Sequence, residues 1–308
     1  MIINKAKLIQ WLPFFFGVIV IATISAVLTL IFVPKEYSRD QQILLANKEP
    51  TRIIFHDLSS QDLKKVEDLT REQLRLIVSK PQFLPSVGVV EKHKEKIKQE
   101  ADNAKIPESI ALGVALLENG GSETEISTAG AAGIFQLTKG TAKNLGLAVD
   151  DQSDERLNPD KNIEAGLRYL DQNLALFSDI GLAVWAHHAG PNNVSKAVKI
   201  YLKNLGEEDA FEFVEAEKLG KLDRAKYVWR AYVTKDGMDV HKVLDNFTVR
   251  VTFLSTLDDE SALYTYKVAA AAVLFETWQN YSDKAKFEEK VAAFKQGRIL
   301  LADLLEVN

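Results

Sequence analysis

Between Leu8 and Pro34 the chain carries no charged residue, and Trp11 to Val33 is almost wholly apolar. As a helix rising about 1.5 Å per residue, a run of this length covers a bilayer core of about 30 Å. A secretory signal peptide has a shorter apolar stretch and a small-x-small cleavage site. This run ends Ile31-Phe32-Val33-Pro34-Lys35 with no such site. The expectation is a transmembrane anchor over 10–34 behind a short cytoplasmic tail, 1–9. Lys5 and Lys7 precede the run, while Lys35, Glu36, Arg39 and Asp40 balance one another after it. The positive-inside rule then puts the tail in the cytoplasm and the rest on the extracytoplasmic, or periplasmic, side of the cytoplasmic (inner) membrane.

The remainder is long enough for one or two domains with real cores. The 308 residues carry a formal net charge of −5 and no basic run, which excludes a phosphate-tracking surface and a nucleic-acid partner. There is no cysteine, hence no disulfide, no thiolate metal site and no cysteine nucleophile.

Residues 35–90 read as a linker or stalk region, with a turn at Asn47-Lys48-Glu49-Pro50, a short strand at Arg52–Phe55, and N-caps at Ser60 and Thr70. A charged helix follows over about Val90 to Ala104. From Pro107 to Val233 the pattern is densely helical. Ile106 to Leu117 is one apolar helix. Asn158-Pro159 opens another, striped by Ile163, Leu167, Leu170, Leu174 and Phe177. A third, with Leu182, Trp185, Ala186 and Ala189, stops at Gly190-Pro191, and Val194–Leu202 and about Asp223–Val233 complete the set. Phe247–Phe253 alternates with period two and predicts a strand. Two helices then follow, striped by Tyr264, Val268, Ala271, Phe275 and Trp278, and by Phe287, Val291, Phe294, Leu301 and Leu305. Residues 236–308 read as a helical accessory unit on the main domain, 91–235.

Glu118 closes the apolar helix just before Asn119-Gly120-Gly121. A carboxylate in a last turn faces the negative end of the helix dipole, and burial on an apolar edge acts in the same direction. Both raise its pKa toward the range a general acid needs near neutral pH. Nine residues on, Ser127 and Gln136 bracket a small-residue turn, Ala129-Gly130-Ala131-Ala132-Gly133, able to pass close to a ligand or a neighbouring helix. A surface glutamate beside a tightly packed helical turn is the plain alternative.

These residues resemble the lytic transglycosylases of the goose-lysozyme-like, soluble-lytic-transglycosylase type. The resemblance rests on Glu118, Ser127, Ala129-Gly130-Ala131, Gly133-Ile134-Phe135-Gln136 and Thr141-Ala142, taken in order and spacing. Asn158-Pro159, Asn162-Ile163, Gly166, Tyr169-Leu170, Ala189-Gly190-Pro191 with Val194, and Tyr227-Val228 continue it, over roughly residues 95–235. It implies a mainly α, lysozyme-like catalytic domain. It implies cleavage of the β-1,4 bond between N-acetylmuramic acid and N-acetylglucosamine of peptidoglycan, leaving a 1,6-anhydromuramoyl end. Glu118 would be the sole acid/base. Ser127, Gln136, His187, His188 and Tyr227 would line the cleft or orient it, with no metal and no cofactor.

Three positions depart from the family pattern. Asn119 stands where a serine is usual, and Asp223-Arg224 where the family tends to have Glu-Thr-Arg. His187-His188 stands where the family has Tyr-Asn, and that tyrosine approaches the catalytic acid. A neutral His187 could donate one hydrogen bond to Glu118, whereas a charged one would weaken it as an acid. Adjacent histidines on a helix point about 100° apart, which argues against a shared metal. Glu123, Glu125, Asp150, Asp151 and Asp154 read as solvated loop acids, any one of which would serve as second carboxylate in a water-using muramidase. Trp185 and Trp229 read as core before sugar-stacking platforms. A peptidoglycan-binding scaffold without turnover is the rival outside the enzymes, and an envelope protein partner for 236–308 stays an open expectation.

Overall fold

The computed structural model describes residues 49–207, 211–215, 227–231, 239–257 and 260–307. Its helices before the strands are α1 (Glu49–Ile54), α2 (Ser60–Ser79), α3 (Phe83–Ala104), α4 (Glu108–Glu118), α5 (Lys139–Asn144), α6 (Pro159–Phe177), α7 (Ile180–Ala189) and α8 (Pro191–Leu205). Strands β1 (Phe211–Glu215) and β2 (Tyr227–Ala231) pair antiparallel, Phe211 opposite Ala231 and Glu215 opposite Tyr227. Helices α9 (Val240–Asp245), α10 (Phe247–Thr252), α11 (Tyr264–Asn280), α12 (Lys284–Lys295) and α13 (Leu301–Leu305) follow. The fold is mainly α, as expected. Among the described residues no helix is long and apolar enough to cross a membrane, and the expected tail at 1–9 and anchor at 10–34 lie outside them.

The core is organised around α11. Its residues Val268 to Phe275 are buried without a break, so it has no solvent face along that stretch. It packs on α1, α2, α4 and α7. The closest crossing is with α4, where a Cβ at Gly113 would stand 2.9 Å from the Cβ of Ala272 and 2.9 Å from the Val268 carbonyl. Glycine on one helix and the alanine run Ala269–Ala272 on the other let the backbones approach at this point. The helices run antiparallel, which brings the start of α11 to the end of α4.

Local punctuation explains most boundaries. Asn158 caps α6 by accepting from the Lys161 amide at 3.1 Å, with Pro159 in the first turn. Asp179 caps α7 through the Leu182 amide at 2.6 Å, and Gly190 (φ +79°) with Pro191 turns α7 into α8.

Several expectations are corrected. Arg52–Ile54 is helix rather than strand: Pro50 lies in the first turn of α1, and Ile54 and the following Phe55 are buried in the core, the Phe55 ring stacked on Tyr266 at 4.9 Å. The cap of α2 is Ser59, one residue before the expected Ser60, and Thr70 lies buried mid-helix. Pro107 is the N-cap of α4 rather than its first residue. The charged helix starts earlier, at Phe83, because Pro85 fits in its first turn. Within the expected linker, Val66, Leu74, Val78, Phe83, Val87 and Val90 are buried, so the described part of 35–90 shares the common core. Residues expected as helix at 223–233 include β2, a run rich in aromatic and β-branched residues that finds a partner in β1. Phe247–Phe253 is helix α10 and its end rather than a strand. Asn246 caps it from the Val249 amide at 3.1 Å, and Phe247 and Val251 share one exposed face while Val249 is buried. The last expected helix is broken at Gly297 (φ +68°), giving α12 and α13. Residues 236–308 therefore supply, in α11, an interior helix rather than a unit laid on the outside.

Candidate active site

Glu118 is the last residue of α4. Asn119 behind it is fully buried, and its amide donates to the carbonyls of Ala115 (2.7 Å) and Ser86 (3.2 Å), while its oxygen accepts from the Gly121 amide (2.7 Å). The Glu118-Asn119 departure thus ties the helix end to α3. Gly120 and Gly121 take positive φ, which lets the chain leave the helix at once.

The Glu118 carboxyl accepts a hydrogen bond from the Tyr264 hydroxyl at 2.5 Å. Part of the residue stays open to solvent, but protein crowds the carboxyl itself. That burial raises its pKa to about 7; the Tyr264 hydroxyl and the Lys267 ammonium pull the other way and only partly offset it. A carboxylic acid poised near neutrality can donate a proton and take one back. Because Tyr264 occupies Oε1, the exchangeable proton belongs on Oε2. The Tyr264 hydroxyl is held far from ionisation by burial and by Glu118.

The glycine-rich turn is held from three sides. The Ser127 hydroxyl accepts from the Ala131 amide at 3.1 Å. The Gln136 amide donates to the carbonyls of Glu125 (3.0 Å) and Gly133 (2.9 Å), and Gln136 itself has φ +44°, unusual for a residue with a side chain. Beneath the turn, Asn162 of α6 accepts from the Phe135 amide at 2.7 Å and donates to the Ala132 carbonyl at 3.0 Å. Gly133 (φ +81°) admits this contact: a Cβ there would lie 2.3 Å from the Asn162 amide nitrogen. Gly166 admits the Phe135 ring in the same way. Arg156, buried, donates to the Gly130 (2.7 Å) and Leu137 (3.0 Å) carbonyls while forking onto both oxygens of Asp154.

The histidines divide between the turn and the acid. His187 does not reach Glu118 as the sequence suggested: its Nε2 lies 3.1 Å from the Phe135 carbonyl, which can only accept, so Nε2 carries the proton. Burial lowers its pKa to about 4, so it is neutral near pH 7. Its ring packs edge-on to Phe135 and against Tyr169. His188 is stacked on Tyr264, centroids 4.4 Å apart and planes within 10°. A continuous path of contacts thus runs from Glu118 through Tyr264, His188 and His187 to Phe135 in the turn. Glu125 completes the return, its Cγ 3.0 Å from where a Cβ on Gly120 would stand.

Of the loop acids, Glu123 is paired with Lys92 at 2.5 Å and Asp154 with Arg156 at 2.6 Å, and each hydrogen bond lowers the acid's pKa. Asp150 accepts from the Gln152 and Ser153 amides. Trp185 is fully buried. The backbone of Tyr227 pairs with Glu215, and its side chain and that of Trp229 lie outside the described residues. Among the described residues, Asp62, His241 and Asp245 have ligand atoms within 4.8 Å of one another, spacing that would suit a metal. The Lys65 ammonium already stands between the two carboxylates, 3.4 Å and 3.0 Å away.

Sequence reasoning missed two residues here, Arg156 and Tyr264. Tyr264 reads in the sequence as the first residue of a core stripe. The only hint of its place was Gly113 in an apolar helix together with the Ala269–Ala272 run, the signature of two helices in close contact.

Residues 95–209 match the transglycosylase SLT domain family. A protein of Enterobacteria phage PRD1 named transglycosylase is 32% identical over 90 residues, 29% of this chain and 32% of that protein. The chain thus spans about a third of that relative's length. An X-ray structure of an inactive mutant of the lytic transglycosylase Slt from Pseudomonas aeruginosa aligns with a TM-score of 0.37 and 18% identity, covering 68% of this chain and 30% of that one. The segment similar to the transglycosylase SLT domain holds Glu118, the turn, α6 and both histidines.

Proposed function

We propose that the chain is a peptidoglycan lytic transglycosylase with Glu118 as its single acid/base. The observation that carries this reading is a carboxyl near neutrality, with one hydroxyl donor on one oxygen, at the end of α4 inside the matched domain. Glu118 gives its proton to the glycosidic oxygen as the bond from C1 of N-acetylmuramic acid breaks, releasing the N-acetylglucosamine hydroxyl. The carboxylate then takes the proton of the muramoyl 6-hydroxyl, whose oxygen bonds to C1 and closes the 1,6-anhydro ring. The ion pairs of Glu123 and Asp154 support a one-carboxylate scheme. No metal or organic cofactor enters it.

The uncharged run Leu8–Pro34 behind Lys5 and Lys7 supports an anchor in the cytoplasmic membrane, with the domain on the extracytoplasmic side. Anchoring would confine cutting to wall near the membrane. Removing 1–35 should release the protein from the membrane fraction; retention there refutes the anchor.

The activity is tested by digesting purified peptidoglycan with the full chain in detergent and reading the products by mass spectrometry. Anhydromuramoyl ends from wild type and none from Glu118→Gln are expected. Reducing ends would instead indicate attack by water, and binding without turnover would indicate a scaffold.

A further inference from the structure

We propose that Asp62, His241 and Asp245 form a binding site for one divalent transition-metal ion of the zinc class, which ties α2 to α9. None of the three lies within residues 95–209, so the site stands apart from the reading of Glu118 as the acid.

The ligands come from two helices far apart in the chain. Asp62 stands in the first turn of α2. His241 and Asp245 both belong to α9, four residues apart, a spacing that puts two side chains on one helix face. One ligand atom from each residue lies within 4.8 Å of the other two. Paired carboxylates are common on surfaces, and His241 sets this group apart. It is only 2% exposed. Its Nδ1 lies 2.7 Å from the Tyr266 hydroxyl. Its Nε2 is buried and has no hydrogen-bond partner among the described residues. With the proton on Nδ1 donated to the Tyr266 oxygen, Nε2 presents a bare lone pair, the form in which imidazole ligates a metal. Left unpaired, a buried acceptor of this kind is costly.

Each ligand also has an outer partner that orients it, as ligands in metal sites do. The Ser59 hydroxyl donates to Oδ2 of Asp62 at 2.7 Å, which leaves Oδ1. The Arg250 guanidinium stands 3.5 Å from Oδ1 of Asp245, which leaves Oδ2. Tyr266 does the same for His241. One imidazole nitrogen and two carboxylate oxygens, completed by water, suit zinc. Calcium and magnesium favour oxygen alone.

Lys65, three residues after Asp62 on α2, neutralises the two acids, its ammonium 3.4 Å from Oδ1 of Asp62 and 3.0 Å from Oδ2 of Asp245. It answers the charge and leaves the ring nitrogen unanswered; a metal ion answers all three. The Lys65 side chain is 46% exposed and borders a pocket of about 490 Å³ together with His241, Asp245, Arg250 and Tyr266. It therefore has room to swing into water as an ion enters.

The test titrates the full chain in detergent, first stripped with a chelator, with zinc, cobalt(II) or calcium alone. Wild type is compared with Asp245→Asn, His241→Gln and Lys65→Met, each checked for native helix content by circular dichroism. Wild type should take up one zinc ion per chain in equilibrium dialysis. Its Tm should rise by about 5–10 °C at roughly a hundredfold excess over Kd. Cobalt should give the visible absorption of a four-coordinate site. Asp245→Asn, at a half-exposed position that tolerates the change, should weaken binding at least about tenfold. Lys65→Met should tighten it about two- to fivefold, the worth of the exposed ion pairs it removes. No uptake by wild type or by Lys65→Met overturns the proposal. Uptake unchanged in both Asp245→Asn and His241→Gln also overturns it, since the ions then sit elsewhere. Calcium held as tightly as zinc overturns the assignment to the zinc class.

Discussion

Arg156 and Gly130 meet at 2.7 Å, guanidinium to carbonyl, on the protein side of the glycine-rich turn. The same guanidinium holds Leu137 and Asp154, so one buried cation fixes both ends of the turn. Lysine keeps the charge but lacks the planar fork. Arg156→Lys should cost about 2–3 kcal/mol of stability, below the ~3–5 kcal/mol of a fully buried pair because Asp154 stays partly in water. Chemical denaturation at pH 7 measures it.

At Gly133 of the turn and Gly166 of α6, turn and helix approach too closely for the glycine to carry a side chain. A methyl at 133 would fall 2.3 Å from the Arg156 carbonyl at a φ of +81°, and one at 166 would fall 2.3 Å from the Phe135 ring. Either alanine should destabilise by about 3 kcal/mol or more, as overpacking in a rigid core does. Gly130→Ala meets nothing within 4 Å and carries only its φ of +78°, so it should cost about 1–2 kcal/mol. Melting curves of the three variants should rank them in that order.

Activity should fall as pH rises through about 7. Glu118 must hold its proton to begin the reaction, and its pKa lies there. Glu118→Gln removes the general acid, a loss of at least about 10²–10⁴ in kcat. A rate profile of wild type flat through pH 8 would contradict this assignment.

Stability should respond to pH through Glu118 and His187 with opposite signs. The folded pKa of Glu118 is raised, so the folded state binds more protons between about 4.5 and 7, and stability falls as pH rises through that window. His187 is lowered to about 4, so the unfolded state binds more protons between about 4 and 6.5, and stability falls as pH drops through it. Glu118→Gln should therefore stabilise at pH 8 relative to pH 4, reading as about 2–4 °C in Tm per kcal/mol. His187→Gln, which keeps an amide donor for Phe135, should flatten the acid side. Parallel melts at pH 4, 6 and 8 distinguish them.

What could be read in the residues was what chain neighbours decide. Asn158-Pro159, Gly190-Pro191 and the Gly-Gly after Glu118 end or begin helices by their own geometry, and the structure places them so. Phe247–Phe253 misled because its alternation leaves Phe247 and Val251 on one exposed face, and the Asn246 cap was the better signal. Arg156 and Tyr264 were hidden for a different reason. Each acts across a long loop on partners fixed only by tertiary packing, and nothing local marks a tyrosine in an apolar stripe as a hydrogen-bond donor.

The antiparallel crossing of α4 and α11 has a temporal side. A ribosome emits Glu118 long before Tyr264, and the Gly113 face of α4, which packs on α3 elsewhere, stays uncovered until α11 arrives. A chain halted or clipped between them holds the acid without the hydroxyl that orients it. The surroundings of Glu118 are thus complete only once α11 has been made, although the acid itself lies 146 residues earlier in the chain.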